Sequence, residues 1–113
     1  MLENASVLAT RPAQQGKFWK NSTVPNFHRH HRPSLAYRLA LVADGSFDAM
    51  ITFRNTWEWD ICAGALIAAE AGATVSDRRG RDLMFNQINP INKGAIVASP
   101  SLHTEILSQS DAH

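Results

Sequence analysis

Asp60 is the residue whose type and position offer the clearest chemistry. It follows Trp59 and opens the run WDICAGALIAAEAGA, in which Ala, Leu and Ile dominate and Glu70 is the only charge from Ile61 to Ala71. Such a run reads as a buried helix. Asp60 therefore stands where a strand and loop hand over to a helix, beside the positive end of the helix dipole, a placement that stabilises an anion. A carboxylate there is a hard oxygen donor suited to Mg²⁺, and the free N–H groups of the same helix start can hold phosphate. Ala63, Gly64 and Ala65 are small enough to let a neighbouring backbone approach the first turn. The plainer reading makes Asp60 an N-cap and nothing more.

Other groups are weaker candidates. His28, Arg29, His30, His31 and Arg32 form the densest polar cluster. A structural zinc site needs about four ligands, and no cysteine lies near, so a loop surface or interdomain contact is expected. An RNA patch would have only Trp19 and Phe27 for stacking. Arg38 can hold phosphate through two parallel hydrogen bonds or serve as a solvated helix charge, and Arg54 is read with the same two alternatives. Ser34, Ser46 and His103 have no spacing that suggests a hydrolase triad. Trp57 and Trp59 flank Glu58 and would point to opposite sides of an extended segment, one into the core. Cys62, the only cysteine, reads as a small buried hydrophobe in a reducing compartment.

The elements that must position these residues are short. Ser6–Ala9 reads as a strand, and residues 10–33, with three prolines and no sustained period, read as a loop. Leu35, Ala36, Leu39, Ala40 and Ala43 recur at helical spacing, with Ser34 to cap the start and Gly45 to end it, which predicts a helix over 34–44. Phe47–Phe53 reads as a strand, Ala73–Ser76 as another, and Asp77–Gly80 as a turn. Asn86–Gly94 carries turn residues, Ala95–Ala98 is a short strand, and Ser99 or Ser101 can cap a last helix with Leu102, Ile106 and Leu107 on its inner face. This order predicts an α/β fold: a layered domain with a mostly parallel sheet flanked by helices. Residues 1–5 read as an N-terminal tail and 6–113 as one domain.

The composition narrows the function classes. The chain has 113 residues, 44% hydrophobic and 19% charged, with a net charge of +1. That balance points to no nucleic-acid polymer and no membrane surface as partner. The longest apolar run, Ile61–Ala69, is nine residues, against about 20 for a membrane span. The N-terminus lacks a basic segment followed by a long apolar stretch, so a cytoplasmic protein is expected.

Trp59, Asp60, Cys62, Ala63, Gly64, Leu66, Ile67, Ala68, Gly72 and Ala73 together resemble the C-terminal signature of the inositol monophosphatase family. SLAYRLALVADGSFDAMITFR is similar to the family's helix, turn and strand before that signature. ATVSDRRGRDL and GAIVASPSLH are similar to the strand-turn and the final strand-helix after it. The resemblance runs over roughly residues 6 to 109. It implies the C-terminal half of the sugar-phosphatase fold and Mg²⁺-dependent hydrolysis of a phosphate monoester on a small phosphorylated sugar, inositol or nucleotide. Asp60 would be a metal ligand, and Ser34 and Leu35 would line the substrate side. Arg38 matches a basic residue that related 3'(2'),5'-bisphosphate nucleotidases place close to a second phosphate.

The family's N-terminal motifs, a metal-binding Glu and an Asp-Pro-Ile-Asp-Gly-Thr-like loop, do not occur here. Asp44, Gly45 and Ser46 imitate part of that loop and read as a turn. The partners implied are therefore a small phosphorylated substrate and a missing N-terminal half, with a homodimer as the assembly the reading allows, and this chain alone is expected to be inactive. Pro33 stands where the family often has Gly, and Phe53 where inositol-type members carry Glu, which argues against inositol recognition. The alternative from another class is a non-catalytic, truncated interaction module of the same fold.

Overall fold

The computed structural model describes residues 2–32, 34–83, 85 and 91–111, with Leu35 and Ala36 described by their backbone alone. Ser34 caps the first helix as its position predicts. Its hydroxyl oxygen accepts a hydrogen bond from the Tyr37 N–H at 3.3 Å, and α1 runs Leu35–Ala43. The strands are β1 Ser6–Leu8, β2 His28–His30, β3 Ala49–Trp57, β4 Thr74–Ser76 and β5 Ile91–Ala98. The remaining helices are α2 Glu58–Glu70 and α3 Pro100–Gln109.

These strands form one sheet in the order β2-β1-β3-β5-β4. β1 pairs in parallel with both β2 and β3, whereas β5 is antiparallel to both β3 and β4. Among the described strands β1 to β4 thus run one way and β5 alone runs against them. The layered α/β class stands, and the sheet is mixed in its pairings because β5 is wedged between two strands of the common direction.

Alternation along the strands divides the core between two faces. On one, Leu8, Met50, Ala95 and Val97 pack with Leu39 and Val42 of α1 and Ile61 and Ala68 of α2. On the other, Val7, Ala49, Ile51, Phe53 and Ile96 pack with Leu102 and Ile106 of α3 and with Ala13, Trp19 and Phe27 of the 10–33 segment.

That segment is more structured than its composition predicts. It contains 3-10 turns at Arg11–Gln14, Gly16–Phe18 and Lys20–Ser22, and then β2. The reason is tertiary. Trp19 is 2% exposed, its indole N–H donates to the Ala13 carbonyl at 2.8 Å, and its ring meets Phe53 edge-on at 5.5 Å, so the segment is pinned across the sheet. Residues 2–5, read from sequence as a tail, also lie against the body. Leu2 is fully buried, and its N–H donates to Glu105 Oε1 at 2.9 Å.

Element limits differ in three places. β3 continues to Trp57, α2 starts at Glu58, and β5 begins at Ile91 instead of Ala95. Residues 86–90 of the expected turn lie outside the described residues, and 91–94 are strand because they pair with β3 from Asn55 to Trp57. Nor is α2 buried all round. Ile61, Gly64, Ala65 and Ala68 face the interior, while Leu66 and Ile67 are 64% and 53% exposed. A helix apolar on every side carries no pattern to choose its inner face, and the sheet covers only one.

Candidate functional site

α1 follows β2 and α2 follows β3, so both helices start at the carboxyl edge of the parallel strands, the edge where open α/β sheets bind ligands. The two helices touch where Gly64 meets Leu39. A methyl group added at Gly64 would lie 2.6 Å from Leu39 Cδ1, so only glycine permits this approach without movement. Of the small residues after Asp60, Gly64 meets the side chain of a neighbouring helix and not its backbone, and Ala63 is exposed.

Asp60 is the third residue of α2 and is exposed. Trp57 occupies the N-cap position and makes no side-chain cap bond, so the plain reading of Asp60 as the cap is replaced. Among the described residues the Asp60 carboxylate has no hydrogen bond or ion pair. It lies in the positive first turn of the helix. Toward the described residues it is an open, uncommitted oxygen donor.

Close by in sequence, a cavity of about 140 Å³ is lined by Thr10, Arg38, Thr52, Arg54, Asn55 and Thr56. In a regular strand Thr52 and Asn55, three residues apart, would face opposite sides. A β-bulge between them brings them to one side. Thr52 pairs with Ala95 and Asn55 with Lys93, so Phe53 and Arg54 stand opposite the single residue Gly94. Gly94 has φ +77°, and a methyl group there would lie 2.5 Å from the Thr52 carbonyl oxygen. Arg78 braces the bulge: its backbone N–H donates to the Lys93 carbonyl at 2.9 Å and its Nη1 to the Phe53 carbonyl at 2.8 Å.

Arg38 reaches this cavity from the second turn of α1. Its Nε is buried without a hydrogen-bond partner, and burial holds its guanidinium below the ordinary arginine value. Thr56 is 9% exposed, and its Oγ1 is likewise buried without a partner. Phe53 lies in the core, stacked on Phe18 at 4.8 Å, so its neighbour Thr52 and not Phe53 faces the cavity. Sequence reasoning singled out Arg38 and mentioned Arg54. It missed Thr10, Thr52, Asn55 and Thr56, whose only signal was polar character at the ends of strands. Ser34 and Leu35 begin α1 one turn before Arg38. Neither Ser34 nor Asp60 lines this cavity.

Three other expectations change. Trp57 and Trp59 are both exposed, at 44% and 66%, and stack on each other at 4.6 Å. The strand ends at Trp57, so the pair spans a strand-to-helix corner and Glu58 takes the buried position between them. Cys62 is exposed because it lies on the uncovered side of α2. Of the basic cluster, His28 and His30 belong to the edge strand β2 with both side chains exposed. His30 and the Arg32 guanidinium each pack on Phe47, both at 5.2 Å. Among the described residues no group of three or more His, Cys, Asp or Glu converges as a metal site.

A buried polar pair lies elsewhere. His103 of α3 is 5% exposed, and its Nε2 is 2.7 Å from Ser76 Oγ. The Ser76 hydroxyl donates to the Asp77 carbonyl at 2.8 Å, so the imidazole donates to the serine oxygen. This joins α3 to β4.

The family model described as the inositol monophosphatase family matches residues 2–113. The SuhB protein of Neisseria meningitidis serogroup A is 41% identical over 76 residues, covering 66% of this chain and 26% of that protein. An inositol-1-monophosphatase of Bacillus subtilis is 34% identical over 76 residues, covering 67% of this chain and 27% of its own length. Among solved structures, inositol monophosphatase II of Staphylococcus aureus superposes with a TM-score of 0.77 at 22% identity, over 95% of this chain and 40% of that one. The chain thus spans about a quarter of the length of these two curated relatives.

Proposed function

The chain belongs to the inositol monophosphatase family, and from that premise we propose that it supplies one side of the active site of a Mg²⁺-dependent phosphomonoesterase acting on a small phosphorylated sugar, inositol or nucleotide. The observation that carries this reading is the open carboxylate of Asp60 in the first turn of α2, at the same sheet edge as a cavity rich in hydrogen-bond donors. The B. subtilis relative is named for hydrolysis of inositol phosphate, which supports the reaction class.

Asp60 fits the demand of Mg²⁺ for a hard, anionic oxygen, and its exposure leaves room for hydrated ligands. When bound, the ion lowers the pKa of a coordinated water and stabilises the charge that develops on the phosphoryl group. One carboxylate is too few for a closed site. The remaining ligands come from the part of the fold outside this chain, which is its first partner. The start of α1, with Ser34 and Leu35, lies on the substrate side, where free backbone N–H groups favour an anion, and Arg38 stands one turn further on. No helix among the described residues is long and apolar enough to cross a membrane, and a cytoplasmic setting suits the free thiol of Cys62.

The test uses the chain joined to, or mixed with, an N-terminal half of the family. With Mg²⁺ and either inositol 1-phosphate or adenosine 3',5'-bisphosphate, Asp60→Asn should reduce turnover at least ~100-fold through loss of metal-held charge stabilisation. Near wild-type turnover at saturating Mg²⁺ overturns the role of Asp60. The 113-residue chain by itself should release no phosphate under the same conditions. A non-catalytic interaction module is the second reading, favoured by the exposed apolar side of α2, and it gains if the combined protein stays inactive.

A further inference from the structure

The sheet ends on β2, whose backbone bonds lie toward β1. The Asn26 carbonyl accepts from the Asn4 N–H at 2.8 Å, the His28 N–H donates to the Ala5 carbonyl at 2.8 Å, and the His30 carbonyl accepts from the Ala9 N–H at 3.0 Å. Residues 26, 28 and 30 thus direct their backbone groups to the β1 side, and the pleat turns those of Phe27, Arg29 and His31 the other way. No described strand pairs along that outer side. The side chains around this row carry one sign. His28 and His30 are exposed on one face of the strand, and the half-buried Arg29 lies on the other. Arg32 Nη1 donates to the His31 carbonyl at 2.8 Å while its guanidinium lies over Phe47 at 5.2 Å, which fixes a cation at the end of the row. The acids Glu3 and Asp48 sit at the opposite end, where Glu3 Oε1 accepts from the Asn26 N–H and Asp48 Oδ2 from the Ser6 N–H.

We propose that the open edge of β2 is a docking site for an extended, acidic segment of another protein, which joins the sheet as a further strand beside Arg29. The proposal does not rest on the phosphatase reading, because the edge and its charge are independent of Asp60.

An open edge presents a row of N–H and C=O groups that any extended chain can match, and charge on the edge is what keeps unsuitable chains away. Here the charge also selects. Like charges across a strand pair are destabilising and opposite charges stabilising, so a second basic edge is refused and an acidic one accepted. Cations stand on both faces of β2, so an incoming carboxylate meets one whichever face it takes. Backbone pairing supplies the affinity and the side chains choose the partner, as in other cases of strand addition. RNA fits this surface less well. A phosphate backbone repeats acceptors and does not match an alternating row of N–H and C=O groups. Base stacking needs an open aromatic face, but Phe27 and Trp19 are 4% and 2% exposed, and Phe47 already carries His30 and Arg32.

The experiment is an NMR titration of the 113-residue chain with four probes: the end-blocked peptide Glu-Val-Glu-Val-Glu, its Lys-Val-Lys-Val-Lys counterpart, the acidic peptide N-methylated at two successive residues so that both its edges are blocked, and a uridine oligonucleotide. The acidic peptide should bind saturably. At saturation, hydrogen exchange at the Arg29 and His31 amides should slow by at least about tenfold, while the His28 amide, already bonded to Ala5, should not change. Arg29→Glu should weaken the acidic peptide about tenfold, the scale of one charge-assisted contact, and should admit the lysine peptide. Raising salt from about 0.05 M to about 0.5 M should weaken binding to the unaltered chain at least threefold, a reading that needs no variant to fold. Equal binding of the N-methylated peptide overturns strand addition, and equal binding of the lysine peptide overturns selection by charge. Tighter binding of the oligonucleotide overturns the class of partner, and no saturable binding of any probe overturns the site. The titration is repeated after an N-terminal half of the family is joined to the chain. Binding should persist; its loss assigns the edge to that half and overturns the proposal.

Discussion

Gly64 of α2 lies so close to Leu39 of α1 that a methyl group would fall 2.6 Å from Leu39 Cδ1 and 2.8 Å from its Cβ. The contact fixes the helix that carries Asp60 against the helix that carries Arg38. Gly64→Ala should therefore overpack the interface and destabilise the chain by about 1–3 kcal/mol, measured by urea denaturation. In a completed enzyme it should lower turnover as well. A change under about 0.5 kcal/mol would show that the Leu39 side chain yields, and that the helices are not held by this contact.

Gly94 is a harder constraint. It combines φ +77° with a site where an added Cβ would sit 2.5 Å from a backbone atom, the Thr52 carbonyl oxygen. The left-handed conformation alone costs a non-glycine residue about 1–2 kcal/mol, and a backbone oxygen inside a sheet cannot swing aside as a leucine tip can. Gly94→Ala should thus cost more stability than Gly64→Ala and should disturb the amide resonances of residues 52–56. The opposite ranking in chemical denaturation would mean that the bulge does not depend on this glycine.

Burial holds the His103 imidazole below its ordinary value of 6.5. The unfolded chain takes up a proton near pH 6.5 while the folded chain still resists it, so below that pH the unfolded state binds more protons. The stability tied to this group is complete above about pH 6.5 and is lost as the pH falls toward the lowered folded value. Thermal unfolding followed from about pH 7 to pH 5 should show a falling Tm that flattens in His103→Gln. An identical slope in the variant would assign the acid sensitivity to other groups.

Leu66 and Ile67 are 64% and 53% exposed on the outer side of α2. Glutamate is a good helix former, so Leu66→Glu with Ile67→Glu should change stability by no more than about 0.5 kcal/mol per site. The same pair should reduce self-association of the isolated chain, read by sedimentation velocity. Association that persists unchanged would place the contact elsewhere on the surface.

What could be read from residues in order was the part governed by local physics. The apolar repeat from Leu35, the Ser34 cap and the glycine-bounded helix after Asp60 depend on neighbours within a turn or two. So does the signature around Trp59 and Asp60 by which the family is recognised. Local pattern could not say whether Asp60 is the cap of its helix, because that depends on where β3 ends, and β3 ends four residues later than its composition predicts through pairing with β5.

Tertiary structure decided the rest. Trp19 turned a proline-marked loop into an ordered layer by docking on Phe53, and it brought β2 alongside β1. Packing on the sheet chose which side of α2 would be covered. The donor-lined cavity draws Thr10, Arg38 and four residues of β3 from three separate elements. Its existence hangs on a one-residue mismatch between β3 and β5, and strand register is set by contacts far apart in the chain, which a linear pattern does not encode.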